Sequence, residues 1–302
     1  MRIGITGSSG LVGSALVRLL MEQGHEVLAL TRQGSAPPEG CGHIPWDPSS
    51  GKLDPENLNG LDGIVNLAGH NVAESRWSAG VKSLIWNSRV DSTRLLVQAI
   101  RATSSPPRVL VSASAIGYYG DTGNQPVTEE SPPADTFLAR LCVAWEREAL
   151  VARECGTRVV IPRIGFVLSA AGGGLARMLP IFRLGLGGPV GLRTLWMSWI
   201  SRDDLVALLA WMLTSPDADG VYNAVAPEPV TNRDFARALG RVTRRPVLFP
   251  VPEIALKIVF GEMAREVLLA STKVLPTRLE AAAFPYRYPR IETALARAVE
   301  DT

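Results

Sequence analysis

Histidine and cysteine are scarce, three of each among 302 residues, and that scarcity removes whole classes of chemistry. His25, His43 and His70 are far apart and have no companion cluster at metal-ligand spacing, so no metal site is expected. Cys41, Cys142 and Cys155 are odd in number, form no C-x-x-C, and fit a reducing compartment in which they act as small buried hydrophobes. Charge of one sign is lacking too. A net charge of +2 gives no electrostatic footprint for nucleic acid, and Arg244-Arg245 is too short to count as a basic stripe. Long apolar runs are missing: the longest clean one, Leu205 to Leu213, falls well below the roughly 20 residues that span a bilayer and reads as a buried helix. No basic n-region followed by a long apolar h-region stands at the start. A cytoplasmic location is therefore expected, with neither a membrane nor nucleic acid as partner. What remains, 46% hydrophobic and 20% charged residues, is the profile of a folded chain with ample material for a core.

The chain is organised around its first thirteen residues. Arg2 to Thr6 reads as a short buried strand, Gly7-Ser-Ser-Gly10-Leu-Val-Gly13 follows without a spacer, and an apolar helical stripe (Val12, Leu16, Leu19, Leu20) comes next. Strand, glycine turn and helix is the architecture that holds a dinucleotide pyrophosphate, because unpaired N–H groups and the positive end of the dipole meet the anion there. Gly7, Ser9, Gly10, Leu11, Val12 and Gly13 are the candidate ligands. A side chain at Gly7 or Gly10 is expected to fill the phosphate site, and Gly13 to let the helix lie close on the strand. A second strand, Val27 to Thr31, ends in Thr31-Arg32 with no acid before Glu39. An acidic residue there would hold a ribose hydroxyl, whereas arginine pairs with a 2′-phosphate, so NADP(H) is predicted over NAD(H).

Further strands are read at His43–Asp47, with Asp47 placed beside an adenine, and at Leu61–Gly69, where Ala68 and Gly69 leave room for a cofactor. A long helix over Ala79 to Ala102 carries Arg89, either a second cation for the cofactor phosphates or a surface ion pair. Arg108 to Ser114 is a strand opening into Tyr118-Tyr119, and hydroxyls at such a carboxyl end are site candidates. A helix over Phe137–Glu154 and a strand over Thr157–Leu168, containing Arg163 and Val167, complete an alternation that predicts an α/β fold with a Rossmann-type doubly wound parallel sheet. Beyond it come a helix (Leu175 to Arg183), a strand (Trp196 to Ile200), an apolar helix capped by Ser201 or Asp203, a last strand (Val221 to Val225), and short helices. The domain reading is a nucleotide-binding unit over 1–168, with 196–225 returning to it. Residues 169–195 and 226–302 form a smaller, mostly helical lid that supplies the substrate pocket.

With these residues in place the chain resembles an atypical extended short-chain dehydrogenase/reductase of the epimerase-like subfamily. The likeness rests on the glycine turn, Trp46-Asp47, Val65 to Gly69, Asn87-Ser-Arg89, Ser112-Ala-Ser114 with Tyr118-Tyr119-Gly120, Leu184 to Pro189, Trp199-Ile200 before Asp203-Asp204-Leu205, Tyr222 to Pro227, and Gly261 to Tyr286. The resemblance implies NADP(H) contacts at Thr31 and Arg32 (2′-phosphate), Leu67 and Ala68 (ribose), Leu84 and Arg89 (long helix) and Val167 (nicotinamide). Gly69 joins this set. Arg163 does as well, being with Arg183 and Arg193 a candidate for a second pyrophosphate.

One departure matters more than the likeness. The wider superfamily pairs a tyrosine with a lysine four residues on, which brings the phenol towards neutral pH. None of the five tyrosines here has that lysine, and matching Glu146 to the usual helix acid puts Leu138 and Cys142 at the two positions. Two readings follow. In the first, an oxidoreductase or epimerase acts on a small molecule of unknown identity, with Ser114 orienting a carbonyl and Tyr118 or Tyr119 donating the proton. In the second, the chain is a non-catalytic NADP(H)-binding regulator or redox sensor. A cofactor-free scaffold is disfavoured because the glycine turn would then have no task.

Overall fold

The computed structural model describes residues 1–32, 36–191, 193–248 and 250–300. Its strands are β1 (Arg2–Thr6), β2 (Glu26–Thr31), β3 (Gly42–Pro45), β4 (Gly63–Asn66), β5 (Val109–Ser112), β6 (Ser114–Ala115), β7 (Pro126–Val127), β8 (Arg158–Ile164), β9 (Phe166–Leu168), β10 (Trp196–Met197), β11 (Trp199–Ser201), β12 (Gly220–Ala224), β13 (Val230–Thr231) and β14 (Lys273–Val274). The helices are α1 (Leu11–Glu22), α2 (Ala79–Asn87), α3 (Val90–Ala102), α4 (Phe137–Leu150), α5 (Gly173–Arg183), α6 (Arg202–Thr214), α7 (Asn232–Thr243), α8 (Glu253–Phe260), α9 (Thr277–Ala281) and α10 (Ile291–Glu300).

Alternating side chains give the sheet two buried faces. Ile3, Ile5, Val65 and Val111 pack on α1 and α6, while Ile64, Leu110, Val159 and Ile161 pack on α3 and the end of α4. Among the described residues the strand order is β3-β2-β1-β4-β5-β8-β12, every pair parallel, with β6 added to β8. This is the doubly wound sheet read from the alternation. The register aligns Thr6 with Asn66, Asn66 with Ser112, Ser114 with Arg163 and Arg163 with Asn223, so the polar strand ends form one row. The Leu205–Leu213 run is the buried helix α6, whose cap is Ser201. A smaller helical body packs α5, α7 and α10 around Trp199.

Several elements read as continuous are broken: Thr157–Leu168 divides into β8 and β9, and Arg108–Ser114 into β5 and β6. The long helix is broken at Ser88-Arg89, where the Ser88 hydroxyl accepts from His70 N (2.9 Å) and donates to Ile85 O (3.1 Å), turning the chain and restarting it as α3. The Trp196–Ile200 strand is split at Ser198, whose hydroxyl donates to Thr272 O and accepts from Val274 N. As a result β10 pairs antiparallel with β13, and β11 pairs parallel with β9.

Candidate functional site

After β1 the chain turns through Gly7 at φ +67°, a conformation that glycine adopts without strain. A Cβ on Gly7 would lie 2.9 Å from the Leu67 carbonyl carbon and oxygen, and one on Gly13 would lie 2.1 Å from Gly7 O. Both glycines therefore exist for backbone packing. The expectation that a Gly7 side chain would fill the phosphate site is corrected: it would strike the end of β4 instead. Gly10 is exposed, and a Cβ there meets only Gly7 O, at 3.2 Å. Gly10 caps α1 with no side-chain hydrogen bond and no acid in the first turn, whereas Ser78, Thr136, Ser201 and Thr231 cap α2, α4, α6 and α7. Exposed Ser9 and half-buried Leu11 and Val12 border the opening, and the Ser8 hydroxyl is buried with no hydrogen-bond partner among the described residues. An uncapped helix start beside an orphaned hydroxyl is a cradle for an anion.

At the outer end of this row Thr31 closes β2, and Arg32 follows, exposed and, among the described residues, without a carboxylate partner. Trp46 N donates to Thr31 O (3.0 Å), which places Asp47 beside that end. Its carboxylate accepts from Ser49 N and the Ser49 and Ser50 hydroxyls, and those side-chain bonds lower its pKa to about 2. At the inner end the Thr6 hydroxyl accepts from Leu67 N (3.0 Å) and Ala68 N (3.1 Å), drawing both residues to the glycine turn. Leu84 is 56% exposed on α2, and Val167 sits half-buried in β9 opposite Ile200.

Arg89 is not the surface ion pair that was one of the two roles read for it. Its guanidinium is packed under Gly69, where a Cβ would lie 2.9 Å from Cζ; it donates to His70 O (2.9 Å) and lies over the Trp145 ring at 5.4 Å. No carboxylate among the described residues pairs with it, so it is not a surface ion pair, and burial lowers its pKa to about 10. Its positive charge acts on Cys142, at the position where a lysine was sought. That thiol is buried and raised to about 11, first by desolvation and then by Glu146.

Ser114, Tyr118, Tyr119 and Arg163 do come together, and their hydrogen bonds separate their roles. The Arg163 guanidinium grips Glu146 through Nε and Nη2 at 2.8 Å each, and Nη1 donates to the Tyr119 hydroxyl at 2.9 Å. Arg163 is buried and committed to this pair, so its assignment as a cofactor or pyrophosphate ligand is corrected. The Ser114 hydroxyl gives its one proton to Glu146 (2.6 Å), which leaves it unable to donate to a substrate carbonyl; that expectation is corrected as well. Tyr119 is buried and donates to Asn223 Oδ1 (2.7 Å), and desolvation raises its pKa to about 12. It holds structure and is a poor acid. Tyr118 is different: half-buried, its ring lies 3.4 Å from the Arg163 guanidinium, and its hydroxyl has no partner among the described residues. A Cβ on neighbouring Gly117 would lie 3.2 Å from Leu138 Cβ, so Tyr118 stands beside the residue that occupies the usual tyrosine position.

Three carboxylates missed in the sequence frame this end. Glu129 accepts from Asn223 N and from Thr277 in α9; Asp204 accepts from Arg287 N and Tyr288 N; and Glu266 accepts from Phe137 N (3.1 Å) and Leu138 N (2.9 Å) at the start of α4. Nothing local marks Glu129 and Glu266, which are defined by distant partners; Asp204 is marked locally only as the partner of the Ser201 cap. Above Leu138 and Phe137 the walls are apolar: Trp77, Met263, Phe260 and Val267.

The profile of the NAD dependent epimerase/dehydratase family matches residues 3–225, and that of a domain of unknown function (DUF1731) matches residues 251–298. An epimerase family protein of Mycobacterium bovis is 41% identical over 98% of this chain and 97% of its own length. The human epimerase family protein SDR39U1 is 35% identical over 99% of this chain and its whole length. The crystal structure of human SDR39U1 (isoform 2) with NADPH superposes with a TM-score of 0.91, at 34% identity and full coverage of both chains. UDP-glucose 4-epimerase of Thermus thermophilus, crystallised with NAD, shares the fold at a TM-score of 0.77 and 20% identity.

Proposed function

The chain belongs to the NAD dependent epimerase/dehydratase family, as an atypical, epimerase-like short-chain dehydrogenase/reductase, and from that premise we propose that it binds NADP(H) along the carboxyl ends of its sheet and works on a carbonyl or hydroxyl group of a small substrate. One observation carries the cofactor choice: Arg32, exposed and without a carboxylate partner among the described residues, follows the strand next to the uncapped glycine turn. The turn from Gly7 to Gly13 would hold the pyrophosphate, Arg32 and Thr31 the 2′-phosphate, Asp47 the adenine side, and Leu67 to Gly69 the ribose. That SDR39U1 was crystallised with NADPH agrees with this choice.

Bound NADP(H) would supply hydride chemistry. The chain supplies position and a proton. Tyr118 is the donor we assign: its hydroxyl has no partner among the described residues, and its ring is held against the guanidinium of Arg163. Arg89 provides the positive charge that α4 lacks, without being able to shuttle protons as lysine does. Trp77, Phe260, Met263 and Val267 favour a substrate with an apolar body. The locked state of Ser114, Tyr119 and Arg163 supports a second reading, a non-catalytic NADP(H)-responsive regulator.

Calorimetric titration tests the cofactor assignment. NADPH should bind at least tenfold more tightly than NADH, and Arg32→Glu should abolish the difference, as expected for one charge-assisted phosphate contact. Equal affinity of the native protein for the two cofactors would overturn it.

A further inference from the structure

The net charge conceals a strong asymmetry. Residues 232–246 hold five arginines against one aspartate, net +4 in a chain whose total is +2, so the remainder is net negative. Four of them, Arg237, Arg241, Arg244 and Arg245, surround an open depression of about 420 Å³ floored by Gly240 and walled by Pro246 and Val247. Arg237 has Asp234 at 3.5 Å, and Arg245 Nε donates to Arg183 O (2.8 Å). Arg241 and Arg244 have no carboxylate partner among the described residues.

Arg244 also stands where a helix ordinarily ends in glycine. It caps α7 at φ 54°, ψ 42°, a left-handed conformation that costs any residue with a Cβ. An arginine kept in that conformation points to a use for its charge.

The surface next to the arginines is apolar. The six most exposed large hydrophobic side chains are Leu184 (73%), Leu186 (72%), Ile254 (69%), Ile258 (68%), Leu248 (67%) and Val259 (58%). They lie on two segments joined to each other and to the arginines: Val251 N donates to Pro189 O, Val190 bridges to Val251, and Arg245 holds Arg183, the residue before Leu184. Helix α8, which carries three of the six, buries none of its residues. Apolar exposure concentrated in this way marks a surface that is covered in use.

We propose that this face docks on an anionic lipid bilayer, with the arginines on the headgroups and the leucines and isoleucines in the interfacial layer. The charge selects an anionic surface. The apolar side chains beside it select a lipid surface over a nucleic acid or a free phosphate, neither of which would gain from them. Docking is peripheral, since no helix among the described residues is long and apolar enough to cross a membrane. It revises the expectation, drawn from the lack of a run long enough to span a bilayer, that the chain has no membrane partner.

The test is co-sedimentation of the full chain with vesicles of phosphatidylcholine alone or mixed with phosphatidylglycerol. Binding is expected to the mixed vesicles only and to weaken with salt. Arg244→Gly should lower partitioning roughly fivefold while leaving the melting temperature equal or higher, because the left-handed strain is relieved. Leu184→Ser combined with Leu186→Ser should reduce binding at unchanged fold, read by circular dichroism. The proposal is overturned if mixed vesicles do not bind the native chain at low salt, or if Arg244→Gly binds them as well as the native chain does. It is also overturned if the leucine variants instead dissolve a dimer seen by ultracentrifugation.

Discussion

At the scale of single residues, the two adjacent tyrosines are chemically opposite. Tyr118→Phe should abolish any turnover found with NADPH on a carbonyl panel while leaving NADPH affinity within about twofold, because the lost proton has no substitute. Tyr119→Phe should instead leave turnover measurable and change the pH dependence of stability. The folded state holds the Tyr119 phenol neutral, up to about 12, against an ordinary value of 10. Its contribution is therefore complete below pH 10 and is lost as pH rises towards 12, about 2–3 kcal/mol in all. Urea midpoints measured from pH 9 to 12 should fall more steeply for the native chain than for Tyr119→Phe. Parallel slopes would show that burial does not hold the Tyr119 phenol neutral in the folded state. The glycines of the turn separate in a similar way. Gly13→Ala forces a carbon to within 2.1 Å of Gly7 O and should cost about 3 kcal/mol in thermal unfolding. Gly10→Ala, open on all sides but one, should keep the fold and lower cofactor affinity.

At the scale of elements, the sheet was legible because each strand announces itself locally, by an apolar run followed by a glycine, a proline or a helical stripe. The glycine turn and Arg32 could be read for the same reason, since their meaning lies in immediate neighbours. What could not be read depends on partners far along the chain. The break between α2 and α3 needs His70, the break between β10 and β11 needs Thr272 and Val274, and the fate of Ser114 and Arg163 needs Glu146. Arg89 is legible as a cation on the long helix, yet its packing under Gly69 is not. Helix α4 shows the difference most clearly. Thr136 is a readable cap, but the carboxylate on its first N–H groups comes from Glu266, more than a hundred residues later. Glu266→Gln should lower stability by roughly 1 kcal/mol, since a charge on the positive helix end is lost while the hydrogen-bonding shape is kept. Glu266→Ala should cost about twice that and speed proteolysis between Phe260 and Leu268. If both variants melt with the native chain, the contact is incidental.

At the scale of the molecule, the C-terminal segment is a structural part of the nucleotide domain despite matching a separate domain profile. Among the described residues, four of the five hydrophobic clusters include side chains beyond residue 250: Leu279 and Phe284 beside α6, Ile291 and Leu295 on α7, Met263 against Trp145, and Val274 against Tyr119. The buried carboxylates reinforce this, since Asp204 is satisfied by the backbone of Arg287 and Tyr288, and Glu129 by Thr277 and Arg278. Removing the segment would strip donors from both acids, leaving Glu129 only Asn223 N and Asp204 only the Ser201 hydroxyl, as well as opening the cores, at roughly 1–3 kcal/mol for each acid and 2–5 kcal/mol for each emptied large side-chain site. The total exceeds the 5–15 kcal/mol by which domains are stable. A chain ending at residue 250 should therefore be expressed without a cooperative thermal transition and should bind hydrophobic dyes. The intact chain should unfold in one calorimetric step in which the two matched regions melt together. Two resolved transitions in the intact chain, or a truncated chain that melts cooperatively and still binds NADPH, would mean that the C-terminal segment only rests on the nucleotide domain and does not complete it.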